Sequence, residues 1–171
     1  MARLRPLSRE EYRLLEAFAS SLGISVASFA LTPLALVVPG ARYFDVFDVP
    51  VGVLKHLGVA GESLYSAGFY LGYIEGYSFS PSLPLGQRIS RLCGHVVDCI
   101  VVDREGERFF LYGRVVYGDH VLNWSPGLRP VIGEEGEFIG WGSGVLVERG
   151  GVSFKIVEPF KDLGWYLRRG G

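Results

Sequence analysis

Gly136-Glu137-Phe138-Ile139-Gly140-Trp141-Gly142-Ser143-Gly144 reads as β-strand sequence punctuated by glycines. Glycine inside a strand marks a bulge, a bend or the close approach of another backbone. A second apolar run, Val152 to Val157, follows. The chain then closes with Phe160-Lys161-Asp162-Leu163-Gly164-Trp165-Tyr166-Leu167-Arg168-Arg169, an aromatic segment with a basic end. The span 133–171 carries no nucleophile, metal cluster or phosphate loop. A phosphate-binding glycine loop should lead into a helix N-terminus; these glycines lead into Val145-Leu146-Val147, so nucleotide binding is rejected. What remains is the wall of a small β-barrel, and it points to a binding module rather than a catalyst.

Working outward, the half of the chain before this stretch has the same character. His95 to Val102 is a near-continuous β-branched run that predicts a buried strand. Glu105 to Tyr112 predicts a short helix ending at Gly113. Arg114–Tyr117, His120–Trp124, Leu128–Ile132, Glu137–Trp141, Gly144–Glu148 and Val152–Val157 predict short strands with turn residues between them. Many short strands at close spacing suit a barrel, which removes exposed edges. A domain boundary is expected at Gly94, giving an N-terminal α/β domain over 1–94 and a barrel over 95–171.

The N-terminal part opens on a helix signal. Ser8-Arg9-Glu10-Glu11 is a capping box, and Tyr12, Leu15, Phe18, Ala19 and Leu22 recur at helical spacing on one buried face. Gly23 suits the C′ position. Leu34–Val38 and Arg42–Val49 flank the turn signal Pro39-Gly40 and predict an antiparallel hairpin. Pro50 starts a short helix over Val51–Leu57 that stops at Gly58. Ser63–Ile74 predicts a strand bent at Gly68 and Gly72, a turn at Glu75-Gly76 leads to Tyr77–Ser82, and Pro84–Leu92 predicts another helix.

Composition narrows the function classes. The hydrophobic fraction is 49%, enough for a sizeable core, and the formal charge of −1 gives no overall basic signal. No apolar run approaches the roughly 20 residues of a membrane span. Met1-Ala2-Arg3-Leu4-Arg5-Pro6 has no apolar stretch behind it, so no signal peptide is expected and the protein reads as cytoplasmic. Arginine outnumbers lysine, and Gln, Asn and Met occur once each, a pattern that suits a thermophile.

The ordered set of motifs resembles a known family. Phe110-Leu111-Tyr112-Gly113-Arg114, Phe138-Ile139-Gly140-Trp141-Gly142 and Asp162-Leu163-Gly164-Trp165-Tyr166-Leu167-Arg168 resemble a PUA domain, a small RNA-binding barrel. Adding Leu4-Arg5-Pro6-Leu7-Ser8-Arg9-Glu10-Glu11 and Ser66-Ala67-Gly68-Phe69-Tyr70-Leu71-Gly72, the whole chain resembles the NIP-seven family of ribosome-biogenesis factors of archaeal type. The resemblance implies an α+β protein: an N-terminal antiparallel sheet with flanking helices, plus a C-terminal PUA-type mixed β-barrel. It implies no catalysis and no cofactor. It implies binding to pre-rRNA, single-stranded or looped, in large-subunit assembly, alongside ribosome-assembly or RNA-processing proteins. Basic residues on and after the last barrel strand are matched by Lys155 and Lys161; Phe154 and Glu158 depart from that pattern.

The candidate RNA contacts are therefore Lys155, Lys161, Arg168, Arg169 and Arg114. From Val96 to Gly171 there are nine Lys and Arg against eleven Asp and Glu, so any RNA contact relies on a local patch. Arg168 and Arg169 equally suit helix C-terminal charges. Trp141, Trp165 and Tyr166 read as core aromatics in preference to stacking platforms. Cys93 and Cys99 read as buried thiols, since Cys93-Gly94-His95 lacks the four closely spaced ligands of a zinc site. Asp45, Asp48, Glu134, Glu135 and Glu137 read as turn and surface carboxylates. Two rivals stand beside the RNA-binding reading: a protein-interaction module and an RNA-modifying enzyme.

Overall fold

Ser8 begins the first helix as its sequence requires. Its hydroxyl accepts from the Glu11 amide at 3.2 Å, and the Glu11 carboxylate accepts from the Ser8 amide at 2.7 Å. The same carboxylate takes two 2.7 Å hydrogen bonds from the Arg5 guanidinium, which ties the helix to the strand before it. The computed structural model describes residues 2–57, 66–165 and 168. The predicted stop at Gly58 and the start of the strand over 63–65 lie outside the described residues.

The chain divides into two compact units, Met1–Leu85 and Gly86–Gly171. In the first, β1 (Arg3–Pro6), β2 (Pro33–Val37), β3 (Tyr43–Asp48), β4 (Phe69–Glu75) and β5 (Ser78–Pro81) form a five-stranded antiparallel sheet in the order β1-β2-β3-β4-β5. Helix α1 (Arg9–Ser21) buries Leu15 and Ala19, and its Phe18 ring meets Phe29 and Phe79 edge-on. Tyr12, expected on the buried face, is exposed at its edge. Gly23 and Ile24 close α1 by donating to the Ser20 and Ala19 carbonyls, the double bond of a Schellman end. Helix α2 (Val51–Leu57) follows β3, and α3 (Leu83–Ser90) spans the division between the units.

The second unit holds β6 (Ile100–Val102), α4 (Arg104–Leu111), β7 (Val116–Tyr117), β8 (Val121–Asn123), β9 (Gly127–Gly133), β10 (Phe138–Arg149) and β11 (Val152–Asp162). The strands form a six-stranded, barrel-like sheet in the order β7-β11-β10-β9-β6-β8. All pairs are antiparallel except β6 with β9. Asp103 caps α4 by accepting from the Gly106 amide at 2.7 Å, a bond that holds its carboxyl below the usual range, and it also meets the His120 ring. The helix carries Phe110 into a core with Ile100, Val102, Val116, Val131, Ile139 and Val157. The protein is thus α+β, with an antiparallel sheet in one unit and a nearly closed barrel in the other.

Three expectations change. The run 95–102 is a strand only over Ile100–Val102. Cys93 and Cys99 are not buried thiols but a disulfide, with Cα atoms 5.5 Å apart, and the residues between them turn the chain. The two strands expected over 137–141 and 144–148 are one strand of 12 residues. The intervening glycines do not break it. A Cβ on Gly142 would lie 2.8 Å from Val131 and 3.0 Å from both Phe110 and Val157, so glycine there admits the core aromatic beneath the strand.

Candidate nucleic-acid interface

β11 organises the expected contact residues. Its first part pairs regularly with β10, Phe154 opposite Val147, Ile156 opposite Val145 and Glu158 opposite Ser143. Near its end Pro159 faces Gly142 and Lys161 faces Trp141, so Phe160 is an extra residue in the strand. Alternation puts Lys155 on the side of the core residue Val157. Beyond the bulge, Lys161 falls on the other side, with Phe154, Ile156 and Glu158.

Each cation therefore has its own surroundings. The Lys155 ammonium stands 5.2 Å above the Trp124 ring, whose indole N–H donates to the Ile156 carbonyl at 3.1 Å. Trp124 packs against the barrel core, so Lys155 is exposed but aimed by a fixed ring. Lys161 is about 20 Å farther along the strand at ~3.3 Å per residue. Its ammonium lies 5.5 Å from the Phe160 ring, and burial holds it below the usual lysine range.

Arg114 and Arg168 both lie by the far end of α4. Gly113 ends the helix at φ 71°, and the exposed Arg114 beside it lines a hollow of about 240 Å³ with Glu105, Arg108, Phe109 and Tyr112. The Arg168 guanidinium covers Gly113; it donates to both Asp162 carboxylate oxygens, at 2.8 and 3.0 Å, and to the Leu111 carbonyl. Asp162 is buried, so this fork satisfies a carboxylate that would otherwise be costly inside the fold. Arg168 thus has a structural partner, which its position near the chain end did not signal. Arg169 and Tyr166 lie outside the described residues.

Trp141 is fully buried, edge-on to Phe138, whereas Trp165 is 45% exposed. The carboxylates Glu134, Glu135 and Glu137 gather near Glu107, whose own carboxyl is pushed up by burial and by Glu137. No group of three metal-ligating side chains occurs among the described residues, and none of their helices is long and apolar enough to cross a membrane. Sequence reading missed the far side of β11. Phe154, Ile156 and Glu158 line a groove of about 420 Å³ with Val147 and Arg149 of β10 and Tyr117 of β7. Their period of two was the available signal.

A family model described as UPF0113 PUA domain matches residues 98–171. A UPF0113 protein of Aeropyrum pernix is 42% identical over 172 residues, covering 99% of this chain and 94% of that protein. Three solved structures share the fold. A conserved PUA domain protein from Thermoplasma acidophilum is 14% identical, with a TM-score of 0.53 over 98% of this chain and 99% of that one. A hypothetical protein from the hyperthermophilic archaeon Pyrococcus horikoshii is 14% identical, with a TM-score of 0.57 over 96% and 99%. A PUA domain from Aeropyrum pernix, solved as a tartrate complex, is 16% identical, with a TM-score of 0.53 over 98% and 89%. The PUA barrel is an RNA-binding fold. On its likeness to the Aeropyrum protein over nearly its full length, this chain belongs to the UPF0113 PUA-domain family.

Proposed function

We propose that the chain is a non-catalytic RNA-binding assembly factor for pre-rRNA processing and large-subunit biogenesis. It binds single-stranded or looped RNA through the barrel unit. The observation that carries the reading is a PUA barrel whose last strand holds two lysines, Lys155 and Lys161, against aromatic rings, one on each side of the strand. Ammonium groups neutralise phosphates and release counterions. Exposed bases of unpaired RNA supply the rest of the contact by stacking. Arg114 contacts a further phosphate beside the α4 end. Arg168 acts from its ion pair with Asp162, fixing the segment that carries Lys161. The end-to-end resemblance to the NIP-seven family supports the ribosomal assignment. In that setting the N-terminal unit docks assembly proteins or a second RNA segment, in the cytoplasm and without a cofactor.

The test is filter binding of mixed-sequence single-stranded RNA across a salt series. Lys155→Glu with Lys161→Glu weakens binding to all sequences alike. It lowers the slope of log affinity against log salt by roughly 1.4 or more, at ~0.7 per phosphate contact. Equal binding by wild type and double variant at low salt refutes the placement of the site. One observation favours the protein-interaction reading: the slight excess of acid over base from Val96 to Gly171. Flat curves for the wild type would leave that reading in place.

A further inference from the structure

We infer that the groove on the outer side of β7, β11 and β10 is a base-stacking subsite, taking one unpaired, amino-bearing base of an RNA strand between Tyr117 and Phe154. This rests on the RNA-binding reading of the barrel unit and assigns a site that the lysines do not include.

The geometry comes from strand register. Tyr117 lies opposite Ile156, and Phe154 is two residues from Ile156 on the same side. The two residues are therefore diagonal cross-strand neighbours, about 7–8 Å apart and somewhat closer at Cβ, within reach of aromatic side chains. A base between two rings needs about 7 Å, twice the ~3.4 Å spacing of stacked bases. Tyr117 is 62% exposed and Phe154 47% exposed, and neither stacks on another ring among the described residues. Val147 and Ile156 make an apolar floor, and the groove's volume of about 420 Å³ falls in the range of small-molecule sites.

The two charges on the groove select the occupant. Arg149 and Glu158 line it without an ion pair or hydrogen bond to any described residue. A purely apolar peptide would leave both charges without complement. A nucleotide uses both, its phosphate at the Arg149 guanidinium and its exocyclic amino group at the Glu158 carboxylate. A carboxylate only accepts hydrogen bonds, so it takes the N4 amino group of cytosine and repels the O4 carbonyl of uracil. Phe154 and Glu158, which depart from the basic pattern of the last strand, thereby acquire a common role. They exchange nonspecific phosphate attraction for recognition of a base.

The experiment measures binding of labelled oligocytidine and oligouridine of equal length to the full chain by fluorescence anisotropy. Wild type favours oligocytidine. Phe154→Ala and Tyr117→Ala each weaken oligocytidine binding by about 5- to 150-fold, the range of one lost base stack, with an unchanged salt slope. Phe154→Tyr and Tyr117→Phe, which keep the rings, bind as wild type does. Glu158→Gln, whose amide also donates, narrows the preference for cytidine over uridine. That readout stands if an alanine variant loses its fold by circular dichroism.

Salt-sensitive RNA binding that ignores all of these substitutions overturns the inference and leaves the RNA-binding reading intact. Equal wild-type affinity for the two oligomers does the same. Absence of any RNA binding by the wild type overturns both. Normal RNA binding by Phe154→Ala and Tyr117→Ala, with loss of a wild-type dimer in ultracentrifugation, makes the groove a protein interface and overturns the inference.

Discussion

Gly164→Ala isolates the contact that holds the terminal segment on the barrel. A Cβ there would sit 2.7 Å from the Leu111 carbonyl carbon and 2.9 Å from its Cα, and closer still to the oxygen, where ordinary contact begins near 3.4 Å. Gly164 has no left-handed backbone angle, so the whole effect is steric. The segment and the end of α4 must part or slide to relieve these contacts. Either movement disturbs the Leu163 amide bond to the Ile139 carbonyl, at 3.0 Å, and the Arg168 fork on Asp162. Overpacking of this kind costs about 1–3 kcal/mol. At 4–8 °C per kcal/mol for a unit of this size, a central cost of about 2 kcal/mol lowers Tm by roughly 8–16 °C. The assay is selective because Trp124, Trp141 and Trp165, all the tryptophans of the chain, lie in the second unit. Tryptophan fluorescence on heating follows that unit alone. A variant melting within about 2 °C of wild type would refute the steric account.

Other substitutions test other parts of the chain. Hydrogen bonds from Arg5 hold the Glu11 carboxyl below the usual range, so its ionised form stabilises the fold at neutral pH. That contribution is lost as pH falls through the lowered folded value. Glu11→Gln keeps the capping geometry but removes the charge. It should cost about 0.5–1 kcal/mol at neutral pH and converge on wild type in acid, measured by urea unfolding followed by far-ultraviolet circular dichroism. Lys161 runs the other way. Burial lowers its folded pKa, so the unfolded chain holds that proton more tightly and stability rises with pH between the folded value and the ordinary 10.5. Lys161→Met should flatten that rise, read by tryptophan fluorescence in urea. Gly52→Ala places its Cβ in open space on α2 and should stabilise the first unit by about 0.5–1 kcal/mol in a calorimetric scan.

How much was legible in the sequence varies with the range of the interaction. The capping box at Ser8 and Glu11 and the ends of α1 follow from residues within four positions of one another. The β2–β3 hairpin and the helix after Asp103 were readable for the same reason. The glycines of β10 misled because their cause is distant. Gly142 exists for Phe110, thirty-two residues earlier, and local sequence cannot distinguish such a contact from a turn. The disulfide had the same origin, since two sulfurs bond only when the backbone between them turns back. The motif Asp162-Leu163-Gly164 could be matched to a family but not explained until Arg168 and Leu111 were seen against it.

The sequence alone determined the capped first helix, the β2–β3 hairpin and the barrel character of the second half. Hydrophobic period, caps and turn residues act over a few positions and are written in order along the chain. Tertiary structure alone decided which of the candidate RNA contacts share a surface. One extra residue at Phe160 turns Lys161 away from the side of Lys155 and sets it in line with Phe154 and Glu158. Strand side chains alternate with a period of two, so a single inserted residue reverses every side chain beyond it. That reversal becomes visible only when the partner strand fixes the register.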